Sequence, residues 1–236
     1  MKIYVIIPAL NEEKSIGRVL NDIPENFVTE VVVSDNGSTD NTAEVSKQYE
    51  ATVTSENERG YGAACLKAMF YLSSKARDED IIIFLDGDYS DYPEEMISLT
   101  EHIVKENYDL VIGSRILGKK NGMTEAGSLL PQAIFGNHLS VFLINLIWGY
   151  KFTDLGPFRA VRYGSLIKMK MKDRNYGWTV EMQVKAAIMK LKTTELPVSY
   201  RKRTGTSKVT GTISGSLKAG IKILWIIFIY IFKKEF

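Results

Sequence analysis

The chain has 236 residues, 45% hydrophobic and 25% charged, with a formal net charge of +2. These values suit one large globular domain, alone or with an appendage, and so weak a positive charge gives no reason to expect nucleic acid as a partner. Cys65 is the sole cysteine and there are two histidines, which excludes an intramolecular disulfide framework and a zinc centre of the usual Cys/His type.

Residues 3–7 form an apolar run that reads as a first buried strand, ended by Pro8, which has no amide hydrogen to give a ladder. The run is too short for a secretory signal. Asn11 is placed to cap a helix whose first turn holds Glu12 and Glu13. Residues 30–34 read as the next strand and feed the turn-rich run from Asp35 to Asp40, with Thr39 or Asp40 capping a helix over 41–48. A short strand over 51–54, the loop 57–62 and a helix over 63–72 follow.

Residues 81–85 are apolar without alternation, the mark of a strand covered on both faces. The strand runs into Asp86-Gly87-Asp88, with Asp91 close behind. Carboxylates two residues apart at the carboxyl end of a central strand can share one hard divalent cation if Gly87 lets the chain turn. Asp91 reads as a helix cap or a neighbour of that cation. A further strand over 108–113 ends in Gly113-Ser114-Arg115, and residues 116–128 read mostly as loop. This succession of strand, loop and helix predicts a doubly wound sheet with right-handed crossovers.

Residues 129–148 are the most apolar long segment, yet Gln132, Asn137, His138, Ser140 and Asn145 interrupt it. It reads as a buried helix, or as one lying on a bilayer surface, and His138 on it as an internal, satisfied histidine. A helix over 178–190 and a strand over 194–200 come next. The tail, residues 223–232, is apolar on all faces and flanked by lysines. Ten helical residues cover only about 15 Å, half of a hydrocarbon core, so the tail reads as shallowly inserted in a membrane, packed at an oligomer interface, or buried in the core.

Taken together, Pro8-Ala9-Leu10-Asn11-Glu12, the run from Asp35 to Asp40, Arg59-Gly60-Tyr61-Gly62, Asp86-Gly87-Asp88 and Gly113-Ser114-Arg115 resemble glycosyltransferase family 2, inverting, metal-dependent enzymes of the GT-A fold. The later motifs, Asp154-Leu155-Gly156-Pro157-Phe158-Arg159, Gly177-Trp178-Thr179-Val180-Glu181 and the run from Arg203 to Lys208, are similar to the dolichyl- or polyprenyl-phosphate sugar synthase branch. The likeness implies an α/β fold with a Rossmann-like, mostly parallel sheet, helices on both faces and apolar helices toward the C-terminus. It implies a domain over 1–215, with a nucleotide-sugar half (1–115) and an acceptor half (116–215), and an apolar segment (216–236) that associates with a membrane or packs in an oligomer.

The function implied is transfer of a hexose from a GDP- or UDP-sugar to a polyprenyl or dolichyl phosphate at the cytoplasmic face of the cell membrane. Mg²⁺ or Mn²⁺ on Asp86 and Asp88 would neutralise the leaving diphosphate, since oxygen ligands select such ions. Pro8, Ala9, Glu12 and Asp35 are expected around the base and ribose, Arg59 and Gly60 near the phosphates, and Trp178 and Glu181 around the sugar. Arg115, Arg159, Arg203 and Lys208 are expected to hold the acceptor phosphate, with Arg201 as a possible helper. The branch's further arginine is missing from residues 126–132. One alternative is transfer to a soluble or glycan hydroxyl with Asp154 as base; a second is a nucleotide-sugar-binding protein without turnover.

Overall fold

The structure is a computed structural model that describes residues 1–205 and 213–233, with side chains of 213–217 outside the description. Lys208 therefore lies outside the described residues, as do Thr206 and Ser207 of its motif. In chain order the elements are β1 (Ile3–Ala9), α1 (Ile16–Asn21), β2 (Glu30–Asp35), α2 (Thr42–Gln48), β3 (Thr52–Ser55), α3 (Tyr61–Leu72), β4 (Ile81–Phe84) and α4 (Met96–Glu106). There follow β5 (Leu110–Ser114), α5 (Arg115–Lys120), α6 (Pro131–Trp148), β6 (Arg159–Arg162), α7 (Tyr163–Met169), α8 (Trp178–Ile188), β7 (Thr193–Pro197) and α9 (Ile213–Phe232).

The strands lie in the order β3-β2-β1-β4-β6-β5-β7. The first four pair in parallel, as does β5 with β7, but β6 runs antiparallel to both β4 and β5. The sheet is thus mixed, which corrects the expected mostly parallel one. The missed strand has no periodic signature. It is four residues, Arg-Ala-Val-Arg, and its place is set by neighbours far away in sequence. Both faces of the sheet are covered. Tyr4, Ile6, Ile82 and Phe84 point into one core, shared with residues of α3, α6, α8 and α9. Val5, Ile7, Ile81 and Ile83 point into the other, shared with residues of α1 and α4. The period of two along each strand therefore serves two cores, and the continuous apolar runs follow.

The polar interruptions of α6 are explained by what they hold. Asn137 accepts from the Leu155 amide at 2.8 Å and donates to the Thr153 carbonyl at 2.9 Å. Asn145, two turns on, does the same for Phe152 at 2.8 and 2.7 Å. Residues eight apart share a helix face, so the two amides clamp residues 152–155 like rungs. His138 is exposed, not internal as expected.

The tail helix is longer than expected. Ala219, Ile226, Ile227 and Tyr230 are buried, and α9 packs on α6 and α8, while Trp225, Phe228 and Phe232 face outward. Among the described residues no helix is long and apolar enough to cross a membrane.

Candidate active site

The site lies at the carboxyl ends of β1, β2 and β4. Here Pro8, Glu12, Arg59, Gly60, Asp86 and Asp88 border a cavity of about 270 Å³. A larger cavity of about 780 Å³ adjoins it, and Tyr61, Asp86, Asp88 and Arg203 belong to the walls of both. The structure thus brings together most of the donor residues expected from sequence, Ala9 among them.

The turn after β4 is not made by Gly87. It is Tyr89 that has a left-handed φ of 65°, a conformation that costs a side-chain-bearing residue about 1 kcal/mol or more. Its ring is held under the Arg201 guanidinium, 3.4 Å from the ring centroid, and its hydroxyl donates to Asp22 at 2.7 Å. Arg201 also donates to the carbonyls of Tyr89 and Asp91 at 2.7 and 3.0 Å, so it braces the acidic turn and does not reach for an acceptor.

Within the turn, Asp88 accepts from the Ser90 amide at 2.9 Å and pairs with Arg203 at 3.1 Å. Asp86 accepts from the Tyr61 hydroxyl at 3.1 Å. Burial, with the Asp88 carboxylate beside it, pushes the Asp86 carboxyl up to about 7. Burial and these two neighbours also raise Asp91 well above the carboxylate range, and both its oxygens are buried without a hydrogen-bond partner. Crowded acidic groups of this kind fit a divalent cation, which would relieve the repulsion that raises them. Among the described residues no three metal-ligating side chains converge into a cage. A cation on Asp86 and Asp88 would then draw its other ligands from the substrate's phosphates, as Mg²⁺-type sites do.

The loops that follow β1, β2 and β3 are cross-tied by two side-chain amides, Asn11 and Asn36. Asn36 donates to the carbonyls of Glu56 and Glu58 at 3.2 and 2.7 Å and accepts from the Gly60 amide at 2.7 Å. Asp35 turns to the Ser38 amide at 3.1 Å and is not in the cavity wall. Asn11 is not a helix cap: its side chain accepts from the Thr39 amide at 2.8 Å and stitches the first loop to the second. The amino end of α3, expected to attract anions, is covered by protein. Ala63 N donates to the Arg174 carbonyl at 2.9 Å and Gly62 N to that of Asn175 at 3.3 Å.

On the acceptor side Arg115, the first residue of α5, grips Asp154. Nε and the backbone amide each meet Oδ2 at 2.8 Å and Nη2 meets Oδ1 at 2.8 Å. Asp154 is fully buried. Burial alone would weaken the Arg115 charge, but Asp154 outweighs it and holds the guanidinium protonated. With both oxygens engaged, Asp154 orients Arg115, and the arginine remains in the wall of the larger cavity. Below them Glu195 accepts from the amides of Thr153 and Asp154 at 2.8 and 3.1 Å. Burial raises its carboxyl to about 7.

Arg159 is not an acceptor group. It is fully buried and donates to the carbonyls of Gly156, Leu155 and Thr179. Burial draws its pKa down to about 10. Arg203 sits on Asp88, with Glu12 at 3.6 Å, and lines both cavities. Trp178 is in the larger cavity's wall, packed edge-on against Phe84 at 5.8 Å. Glu181, one turn on, points away from it, toward α9 and residues 172–173. Tyr200 and Lys202, which no motif marked, line that cavity too.

A mixed α/β sheet with an acidic strand end opening on two joined cavities is the architecture of GT-A-type glycosyltransferases. The chain belongs to glycosyl transferase family 2, whose pattern matches residues 4–169. It is similar to an uncharacterized glycosyltransferase of Mycobacterium tuberculosis, 32% identical over 219 residues, 92% of this chain and 94% of the relative. A dolichyl-phosphate hexose transferase of Haloferax volcanii is 29% identical over 216 residues, 90% of this chain and 88% of its own. Among solved structures, glucosyl-3-phosphoglycerate synthase from M. tuberculosis, in complex with Mn²⁺, UDP and phosphoglyceric acid, superposes with a TM-score of 0.76 at 19% identity. That match covers 98% of this chain and 78% of the synthase.

The solved structures correct the expected branch. The chain's fold is matched by the phosphoglycerate synthase in several liganded states. One of the expected phosphate-binding arginines, Arg159, is sealed in the core. The expected lipid-phosphate acceptor, membrane-surface partner and location at the cytoplasmic membrane face are corrected with that branch.

Proposed function

We propose that this chain transfers a sugar from a UDP-sugar, with Mn²⁺ or Mg²⁺, to a hydroxyl of a soluble acceptor bearing an anionic group, such as a phosphorylated acid. The observation that carries this reading is the pairing of cavities. Asp86 and Asp88 stand where the two cavities meet, and the larger is bordered by three cations, Arg115, Lys202 and Arg203. The likeness to a synthase seen with UDP, Mn²⁺ and phosphoglyceric acid supports the choice of base and of acceptor.

Each residue then has a physical task. A cation held by Asp86 and Asp88 supplies Lewis-acid neutralisation of the departing diphosphate. Tyr61 fixes the Asp86 carboxylate, and Ser90 fixes that of Asp88. Arg203, now on Asp88, is within reach of any phosphate entering between the cavities. Arg115, oriented by Asp154, meets the anionic acceptor with a planar donor array that lysine lacks. Trp178 walls the space between.

The test is product identification. UDP-glucose, UDP-N-acetylglucosamine and GDP-mannose, each with Mn²⁺, are offered 3-phosphoglycerate and related phosphorylated acids, and separately polyprenyl phosphate in detergent. A glycosylated phospho-acid from a UDP-sugar, absent with Asp88→Asn, is the expected result. Product on the lipid phosphate alone, or from GDP-mannose alone, overturns the reading.

A further inference from the structure

Residues 172–177 join α7 to α8 and lie across the amino end of α3. The approach is so close that a Cβ on Gly60 would stand 2.0 Å from the Arg174 carbonyl oxygen, and one on Gly62 2.0 Å from that of Asp173. Arg174 extends to Glu58 at 2.6 Å, across the loop that carries Arg59. Asn175 and Tyr176 enter the walls of both cavities. The segment is therefore one side of the donor site, although only its last residue, Gly177, belongs to a motif.

What supports it from behind is the carboxyl-terminal helix. Asp173 accepts on Oδ1 from the amides of Asn175 and Gly177 at 2.8 and 2.9 Å, and on Oδ2 it pairs with Lys222 of α9 at 2.8 Å. Glu181 accepts on Oε2 from the amides of Lys172 and Asp173 at 3.0 and 2.7 Å. On Oε1 it takes the Tyr230 hydroxyl of α9 at 2.9 Å and the buried Lys185 ammonium at 2.8 Å. Ile226 presses on Gly177, where a Cβ would lie 1.9 Å from its Cδ1. Lys222, Ile226 and Tyr230 recur every four residues, so one stripe of α9 makes all three contacts. None of the three lines either cavity.

We propose that α9 is a brace on the donor-binding segment 172–177, and that Lys222, Ile226 and Tyr230 are positioning residues through which it sets affinity for the donor's nucleoside diphosphate. The brace stands on these contacts, whereas the identity of the nucleotide rests on the UDP-sugar reading. Coupling of this kind is reciprocal, so a nucleotide that orders the segment must also steady α9.

The test compares wild type, Lys222→Met, Tyr230→Phe and the double variant, with Lys222→Arg as the conservative control that keeps the ion pair. In the absence of ligand, amides of 172–177 are expected to exchange about tenfold faster in the double variant, with those of β1 and β4 unchanged. The dissociation constant for UDP with Mn²⁺ is expected to rise about fivefold, with the acceptor KM within about twofold of wild type, and UDP is expected to slow exchange in 222–230 of the wild type. Should the double variant not fold, Lys222→Met alone carries the comparison, since its side chain is partly exposed. Unchanged exchange in 172–177 overturns the brace, as does faster exchange with unchanged UDP affinity. Failure of the wild type to bind UDP overturns the donor reading instead, and the exchange ratio still decides the brace.

Discussion

The two halves of the molecule are built by opposite means. In the donor half Pro8, Asn36, Asp86 and Asp88 sit at or just beyond the ends of β1, β2 and β4, so strand and motif are contiguous. In the acceptor half the groups are held by partners far off in sequence. Arg115 is oriented by Asp154, which is held by Glu195 from β7 and flanked by a segment clamped from α6. The difference teaches that the donor carboxylates are placed by their own strand, with further support from α9 behind the site, whereas Arg115 takes its orientation from partners remote in sequence.

The largest effect should come from the shortest-range feature. Asp88→Asn is expected to lower kcat/KM by about 10³-fold while leaving the melting temperature near wild type, because it weakens the hold on the cation that would neutralise the leaving diphosphate. Calorimetry and steady-state kinetics on one preparation check both halves of that statement.

Asp154→Asn should do the reverse and unfold first. It strands the Arg115 guanidinium in a buried place, an expected loss of about 3–5 kcal/mol in denaturant unfolding. If Asp154 were instead a base free of structural duty, activity would vanish with stability intact. Asn137→Ala should cost about 1–3 kcal/mol through two orphaned backbone groups and, because Asn137 borders the larger cavity, should raise the acceptor KM more than the donor KM.

The smallest effect is one of pH. The Asp86 carboxyl stands at about 7 against an ordinary 3.8, so it favours the folded state by its proton. That stability is full below about pH 4 and is lost as pH rises through 7, as read in chelator. Asp86→Asn should flatten the profile of melting temperature against pH between 4 and 8, and Mn²⁺ with UDP should offset the slope by binding the ionised form.

The same contrast explains what could be read from the sequence. The donor strands and acidic turn are legible because burial on both faces writes a continuous apolar run and the chemistry follows within a few residues. Gly87 drew attention as the turn residue, yet Tyr89 makes the turn, since Arg201 and Asp22 support it from outside the local sequence. Strand β6, four residues with an arginine at each end, carries no pattern of its own, and so the mixed sheet was not visible. Arg159 looked like a phosphate ligand because its type is right; only the fold shows it bonded to three carbonyls in the core. The polar interruptions of α6 were visible, but their partners, residues 152–155, are fixed by tertiary contact alone.

The central claim is that Asp86 and Asp88 hold a nucleoside diphosphate through a divalent cation. Titration calorimetry of UDP and GDP into wild type and Asp88→Asn, with Mn²⁺ and then with excess chelator, tests it most directly. The account predicts that UDP binds wild type at least about tenfold more tightly with Mn²⁺ than without, and that this gain disappears in Asp88→Asn. Equal affinity with and without the ion, or a Mn²⁺-dependent gain that survives in Asp88→Asn, would contradict it.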